Sequence, residues 1–310
     1  MRPGVLLYRL RRLFEGGLMA SWYREVVRSR ILQTPSLLLP QTSEYEIHTL
    51  TSQQDWLDLL WALKSFYHFS DTRPALCIHD DGTLTPEICE IISTHFVGVR
   101  LIKREQSDVE VLDSLANYPA CYKLRSENNL SIKLFNLIHY AQSPRVLLLD
   151  SDVLTFSQPV ELLDALNDKE TPNRFNGDVK DAYTAPRDEL ANGLDLEVAS
   201  RFNSGVCVLQ MDSLQLTEIE RYLSSNLLQG HFWLIEQTLF CLCSSRYGCQ
   251  PLSQPYDVIL EDGLSKKPLK HYVGAIRNRM YAEGMRHLAQ QGFLKNIETA
   301  PQPELVEVSR

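Results

Sequence analysis

Val146-Leu147-Leu148-Leu149 runs without a break into Asp150-Ser151-Asp152, and this stretch constrains the chain more than any other. Four consecutive apolar residues read as a strand buried on both faces of a sheet. α/β proteins place their ligands at the carboxyl ends of such strands. Two carboxylates spaced i, i+2 at that edge repel one another and raise each other's pKa unless a cation lies between them. A divalent metal carrying a phosphate ligand is the simplest resolution.

The surrounding pattern supports an α/β fold. Residues 46–50 and 75–78 read as strands, and residues 55–69 between them as a helix capped by Thr51 or Ser52. The second strand ends in the turn signal His79-Asp80-Asp81-Gly82. Thr85-Pro86 opens a helix, residues 98–102 give a third strand, and residues 132–140 a helix leading to the carboxylate strand. Such alternation implies βαβ units. The expected fold is a single Rossmann-like α/β domain, its mainly parallel central sheet flanked by helices. Past Pro159 the pattern changes: residues 171–190 are polar, 206–209 read as a strand and 234–243 as a helix. The expected boundaries are a basic, helical extension and linker over 1–43, the domain over 44–290, and a flexible tail over 291–310.

The net charge of −8 argues against a nucleic-acid partner, which needs a basic surface to displace counterions. The charge is unevenly placed. Residues 1–31 hold seven arginines and two glutamates, about +5, which leaves about −13 on the rest. This segment suits either a basic amphipathic helix in peripheral contact with a membrane or, the reading preferred here, a helix packed on the domain. No apolar run reaches the ~20 residues of a membrane span. Seven scattered cysteines fit the reduced thiols of a cytoplasmic protein. The C-x-C pair Cys241/Cys243 lacks zinc-site spacing and a neighbouring histidine.

Four motifs occur in a fixed order: Asp150-Ser151-Asp152 after an apolar strand, Phe202-Asn203-Ser204-Gly205 before another, Glu236-Gln237 on a helix, and His271-Tyr272-Val273-Gly274. In this order the chain resembles a glycosyltransferase of the GT-A fold, closest in texture to the family-8 type. Family-8 enzymes usually follow the histidine with K-P-W; here Arg277-Asn278-Arg279-Met280-Tyr281 stands instead.

The resemblance implies transfer of a hexose from a nucleoside-diphosphate sugar, a UDP-sugar being expected, to an acceptor hydroxyl with retention. The acceptor, whether glycan, lipid or protein, is open. Asp152 and His271 are the expected metal ligands, with Asp150 a ligand or a ribose contact beside Ser151. Carboxylate oxygens suit Mg²⁺ or Mn²⁺, and an imidazole favours Mn²⁺. Lys133 is placed to contact the diphosphate or donor sugar, and Arg277 and Arg279 to supply the missing phosphate contact. Asn203 and Ser204 are expected at the sugar hydroxyls, and Glu236 and Gln237 at the sugar face or acceptor. His48, Thr49 and Thr51, where the first strand ends, are expected at the nucleotide base.

Two other readings compete. Residues 79–84, HDDGTL, approach the D-x-D-G-T-L motif of haloacid-dehalogenase phosphatases, but His79 stands where the nucleophilic aspartate must be. A non-catalytic nucleotide-sugar or glycan binder on the same fold is the other, and retention of both carboxylates and the late histidine argues against it.

Overall fold

A computed structural model describes residues 16–228 and 233–299. In chain order the strands are β1 (Leu37–Leu38), β2 (Tyr45–Thr51), β3 (Ala75–Asp80), β4 (Phe96–Val97), β5 (Arg100–Ile102), β6 (Arg145–Leu149), β7 (Val153–Thr155), β8 (Asn173–Gly177), β9 (Phe202–Gln210), β10 (Cys249–Pro251) and β11 (Leu269–His271). Seven of them form one sheet in the order β10-β8-β9-β6-β2-β3-β5. Only β9 runs against its neighbours, so the two antiparallel pairs are β6–β9 and β8–β9. The expected α/β architecture with a mainly parallel sheet is what the chain adopts.

β6 lies between β2 and β9, and all five of its residues are buried. Leu147 and Leu149 join the core on one face, with the helix Trp56–Ser70; Val146 and Leu148 join the core on the other, with the helices Ser131–Tyr140 and Ile235–Tyr247. Each fully buried apolar side chain contributes about 1.5–3 kcal/mol. The carboxylates that follow are therefore mounted at the end of a strand packed on both faces.

Beyond the main sheet, β7 pairs antiparallel with β11, setting Val153 opposite His271. The backbone N–H of Tyr272 donates to the Asp152 carbonyl at 2.9 Å. This two-stranded ribbon brings together segments about 120 residues apart in sequence.

Some local expectations shift. The residue before the helix Trp56–Ser70 is Asp55, with no side-chain cap; Ser52 instead accepts from the N–H groups of Gln54 and Asp55 in the preceding turn, and Thr51 is the last residue of β2. The polar stretch after Pro159 contains a strand, β8. Residues 17–33 are helical and bury Ala20, Val27 and Ile31 in the core. At the other end, the helix Phe293–Thr299 buries Phe293 against Trp61 and Phe69, so packed structure continues past residue 290. Residues 300–310 lie outside the described residues.

Candidate functional site

Where β6 ends, Asp150 turns the chain: its N–H donates to the Gly205 carbonyl at 2.9 Å, and its carbonyl accepts from Val153. Ser151 is buried inside this turn. One carboxylate oxygen from each of Asp150 and Asp152 and one ring nitrogen of His271 lie within 4.8 Å of one another. His271 Nε2 is 3.1 Å from Asp152 Oδ1 and 3.8 Å from Asp150 Oδ2.

Asn203 fixes how His271 presents itself. Asn203 Nδ2 donates to Asp178 Oδ2 at 2.9 Å, and Oδ1 accepts from the Gly205 N–H at 3.0 Å, which assigns the amide orientation. His271 Nδ1, 2.9 Å from that same oxygen, must then be a donor. Nε2 is left facing the two carboxylates. Gly205 is the other requirement, since a Cβ built on it would lie 2.1 Å from His271 Cε1. The F-N-S-G motif is thus the cradle of the imidazole.

Cations flank the carboxylates. Lys133 Nζ is 2.7 Å from Asp150 Oδ1 and 3.5 Å from Glu236 Oε1, and donates to the Ser204 carbonyl at 2.9 Å. Arg277 bridges Asp152 Oδ2 at 3.0 Å and Asp55 Oδ1 at 3.2 Å. Burial alone would raise the Asp152 pKa, but His271 and Arg277 hold it below the ordinary carboxylate value. Burial would lower those of His271 and Lys133; Asp152 raises the first, and Asp150 with Glu236 raises the second. Glu236 goes up, because burial outweighs Lys133.

Glu236 and Gln237 sit beside this cluster at the start of their helix. Ser204 Oγ donates to Glu236 Oε2 at 3.2 Å and Ser204 N to Gln237 Oε1 at 3.2 Å; Gln237 Nε2 donates to the Ala182 carbonyl at 3.0 Å. Lys133, Asp150, Asp152, Asn203, Ser204, Glu236, Gln237, His271 and Arg277 therefore form one continuous polar network. Arg279 is not in it; its guanidinium meets the Leu260 carbonyl and Asp262.

The first strand divides the expected base contacts. His48 is fully buried: Nδ1 is 2.9 Å from His79 Nε2, while Nε2 lies 3.2 Å from Glu46 Oε1 without forming a hydrogen bond. Cys77 completes a second group of closely spaced potential ligand atoms with His48 and His79. Thr49 and Thr51 lie on the opposite face, buried, their hydroxyls without a hydrogen-bond partner in the protein. The acidic turn after β3 is structural: Asp80 Oδ1 accepts from the N–H groups of Gly82 and Leu84, and Asp81 Oδ1 from Thr83. Two carboxylates that bond to the network carried no functional signal in the sequence. Asp178 lies in a polar stretch without a motif, and Asp55 read as a helix-start residue.

No family model matches the chain, and no curated protein matches it. Among solved structures it is similar to the galactosyltransferase LgtC in complex with donor and acceptor sugar analogues, at 15% identity and a TM-score of 0.55, over 83% of this chain and 98% of that one. It is also similar to apo mouse xyloside xylosyltransferase 1, at 13% identity and a TM-score of 0.52, over 76% of this chain and 99% of that one. The fold is GT-A. The site at the end of β6 carries a donor set that fits a divalent cation: two carboxylates, and an imidazole whose second nitrogen is anchored in the manner usual for ligating histidines.

Proposed function

We propose that this chain is a metal-dependent, family-8-like glycosyltransferase moving a hexose from a nucleoside-diphosphate sugar, a UDP-sugar by the same resemblance, to an acceptor hydroxyl with retention of configuration. The observation that carries this reading is the convergence of Asp150, Asp152 and an Asn203-oriented His271 at the carboxyl end of the central strand of a GT-A fold.

Asp150, Asp152 and His271 would hold Mn²⁺ or Mg²⁺, which when bound supplies charge stabilisation for a diphosphate leaving group. The chain's own residues do the rest. Lys133 and Arg277 each sit within 3.0 Å of one of the carboxylates, positioned to contact diphosphate oxygens on either side. The unpartnered hydroxyls of Thr49 and Thr51 suit a nucleotide, and a bound donor would supply the hydrogen bonds they lack. His48, engaged with Glu46 and His79, acts beneath them as support. Glu236 and Gln237 present their helix start to the donor sugar or acceptor.

The test is hydrolysis and transfer with a panel of UDP-, GDP- and dTDP-sugars, with Mn²⁺ and with chelator. Metal-dependent release of one nucleotide is expected, and its loss in Asp152→Asn with the fold intact. Near-wild-type turnover in that variant, or no turnover of any sugar nucleotide, would overturn the reading. Release of phosphate from a simple phosphomonoester would favour a phosphatase instead.

A further inference from the structure

We propose that the helical segment over residues 17–32 is the face by which this chain docks, peripherally, on an anionic lipid bilayer. The proposal is independent of the transfer reaction and stands on the two sides of this segment.

The inner side is fixed to the domain. Ala20, Val27 and Ile31 are buried, Trp61 Nε1 donates to the Arg28 carbonyl at 2.9 Å, and Arg28 pairs with the buried Asp58 at 3.2 Å. The outer side carries large apolar side chains among the exposed Glu25, Ser29 and Arg30. Leu18 is 74% exposed, Met19 45%, Trp22 53%, Val26 38% and Leu32 37%. One exposed leucine needs no explanation, whereas a group of large apolar side chains on one short segment marks an interaction surface. Leu18, Trp22 and Val26 recur every four residues, and the π turn over Tyr23–Val27, wider than an α turn, helps keep that repeat on one side. Arg30, also exposed, is the next residue in the series.

Charge selects the occupant. The first 31 residues carry about +5 against about −13 on the remainder, so attraction to an anionic surface and repulsion from it are separated along the chain. Arg2, Arg9, Arg11 and Arg12 all precede this face in sequence. Gly16 and Gly17 separate them from it with φ of +91° and +88°, a left-handed turn that favours glycine. Apolar side chains including a tryptophan, at the arginine-rich end of the sequence, match the acyl boundary and the phosphate headgroups of one bilayer leaflet. No helix among the described residues is long and apolar enough to cross the membrane, so the contact is in the plane of the interface.

The experiment is co-sedimentation of the full chain with vesicles of phosphatidylcholine alone and of phosphatidylcholine with phosphatidylglycerol. Binding to the anionic vesicles should exceed binding to the neutral ones by about tenfold and fall at high salt. Leu18→Glu/Trp22→Glu should abolish it while leaving the melting temperature within about 1 °C, because both side chains are mostly exposed. Failure to sediment with anionic vesicles, or a double variant that binds like wild type, overturns the proposal. A marked fall in melting temperature would assign the face to the chain's own first residues. A dimer that the variant converts to monomer would assign it to a second copy.

Discussion

Asp150, Asp152 and His271 were legible as individual residues because each belongs to a short motif, yet what holds His271 was not. The sequence places Asn203 and Gly205 in F-N-S-G, where Asn203 reads as a sugar contact. In the structure the amide of Asn203 is divided between Asp178, Gly205 and His271, and Gly205 leaves the space the imidazole occupies. Asn203→Ala would release the imidazole's Nδ1 and lower Mn²⁺ affinity by about 10–100-fold, read by calorimetry. An affinity equal to wild type would mean that His271 is held by other contacts. Gly205→Ala should be harsher. The ring must move by more than an ångström, so metal affinity and thermal stability should fall together, whereas Asn203→Ala should lower chiefly the first.

Elements were legible in proportion to their apolar content. β6 announces itself as an unbroken apolar run, but β8, Asn173-Arg174-Phe175-Asn176-Gly177, does not look like a strand. Its first residue is compensated: Asn173 Nδ2 donates to Ser213 and Ser244, and Oδ1 accepts from the Gln210 N–H, so this buried asparagine stays satisfied inside the sheet. The β7–β11 ribbon was hidden for a different reason, since three residues show no periodicity. β6 also has a hidden anchor at its first residue. Arg145 donates to the carbonyls of Ala165, Asp168, Lys169 and Thr171, which close the end of the helix Val160–Asn167. Arg145→Met should cost about 2–4 kcal/mol, measured by urea denaturation, because those carbonyls lose charge-assisted partners together. β2 carries a pH prediction. Burial would raise the Glu46 pKa, but the neighbouring His48 and hydrogen bonds from the N–H groups of Ser143 and Gln142 hold it at about 2, against 4.5 when exposed. A carboxylate depressed by folding stabilises above its unfolded pKa, and that contribution is lost as pH falls from 4.5 through about 2. It amounts to roughly 3 kcal/mol. Wild type should lose melting temperature across this window, and Glu46→Gln, less stable at neutral pH, should show a shallower slope.

At the scale of the whole molecule, an acidic chain is read as binding an anionic donor. With about −13 outside the first 31 residues, the long-range field opposes a nucleoside diphosphate, and attraction must come from the few ångströms around the site. There Lys133 and Arg277 are already committed to Asp150 and Asp152, so in the metal-free chain their charge is largely answered. A divalent cation between the carboxylates would supply the missing positive charge and free both side chains for the phosphates. Donor and metal should therefore stabilise the fold cooperatively. A nucleotide at a hundred times its dissociation constant adds about 2.7 kcal/mol, a rise of about 5 °C in a chain of this size. In a thermal-shift series, that rise should appear with UDP-sugar and Mn²⁺ together, exceed the sum of the separate shifts, and vanish with chelator. An equal shift from the nucleotide alone would show that Lys133 and Arg277 suffice without metal. Asp150 and Asp152 would then be their counter-ions and nothing more.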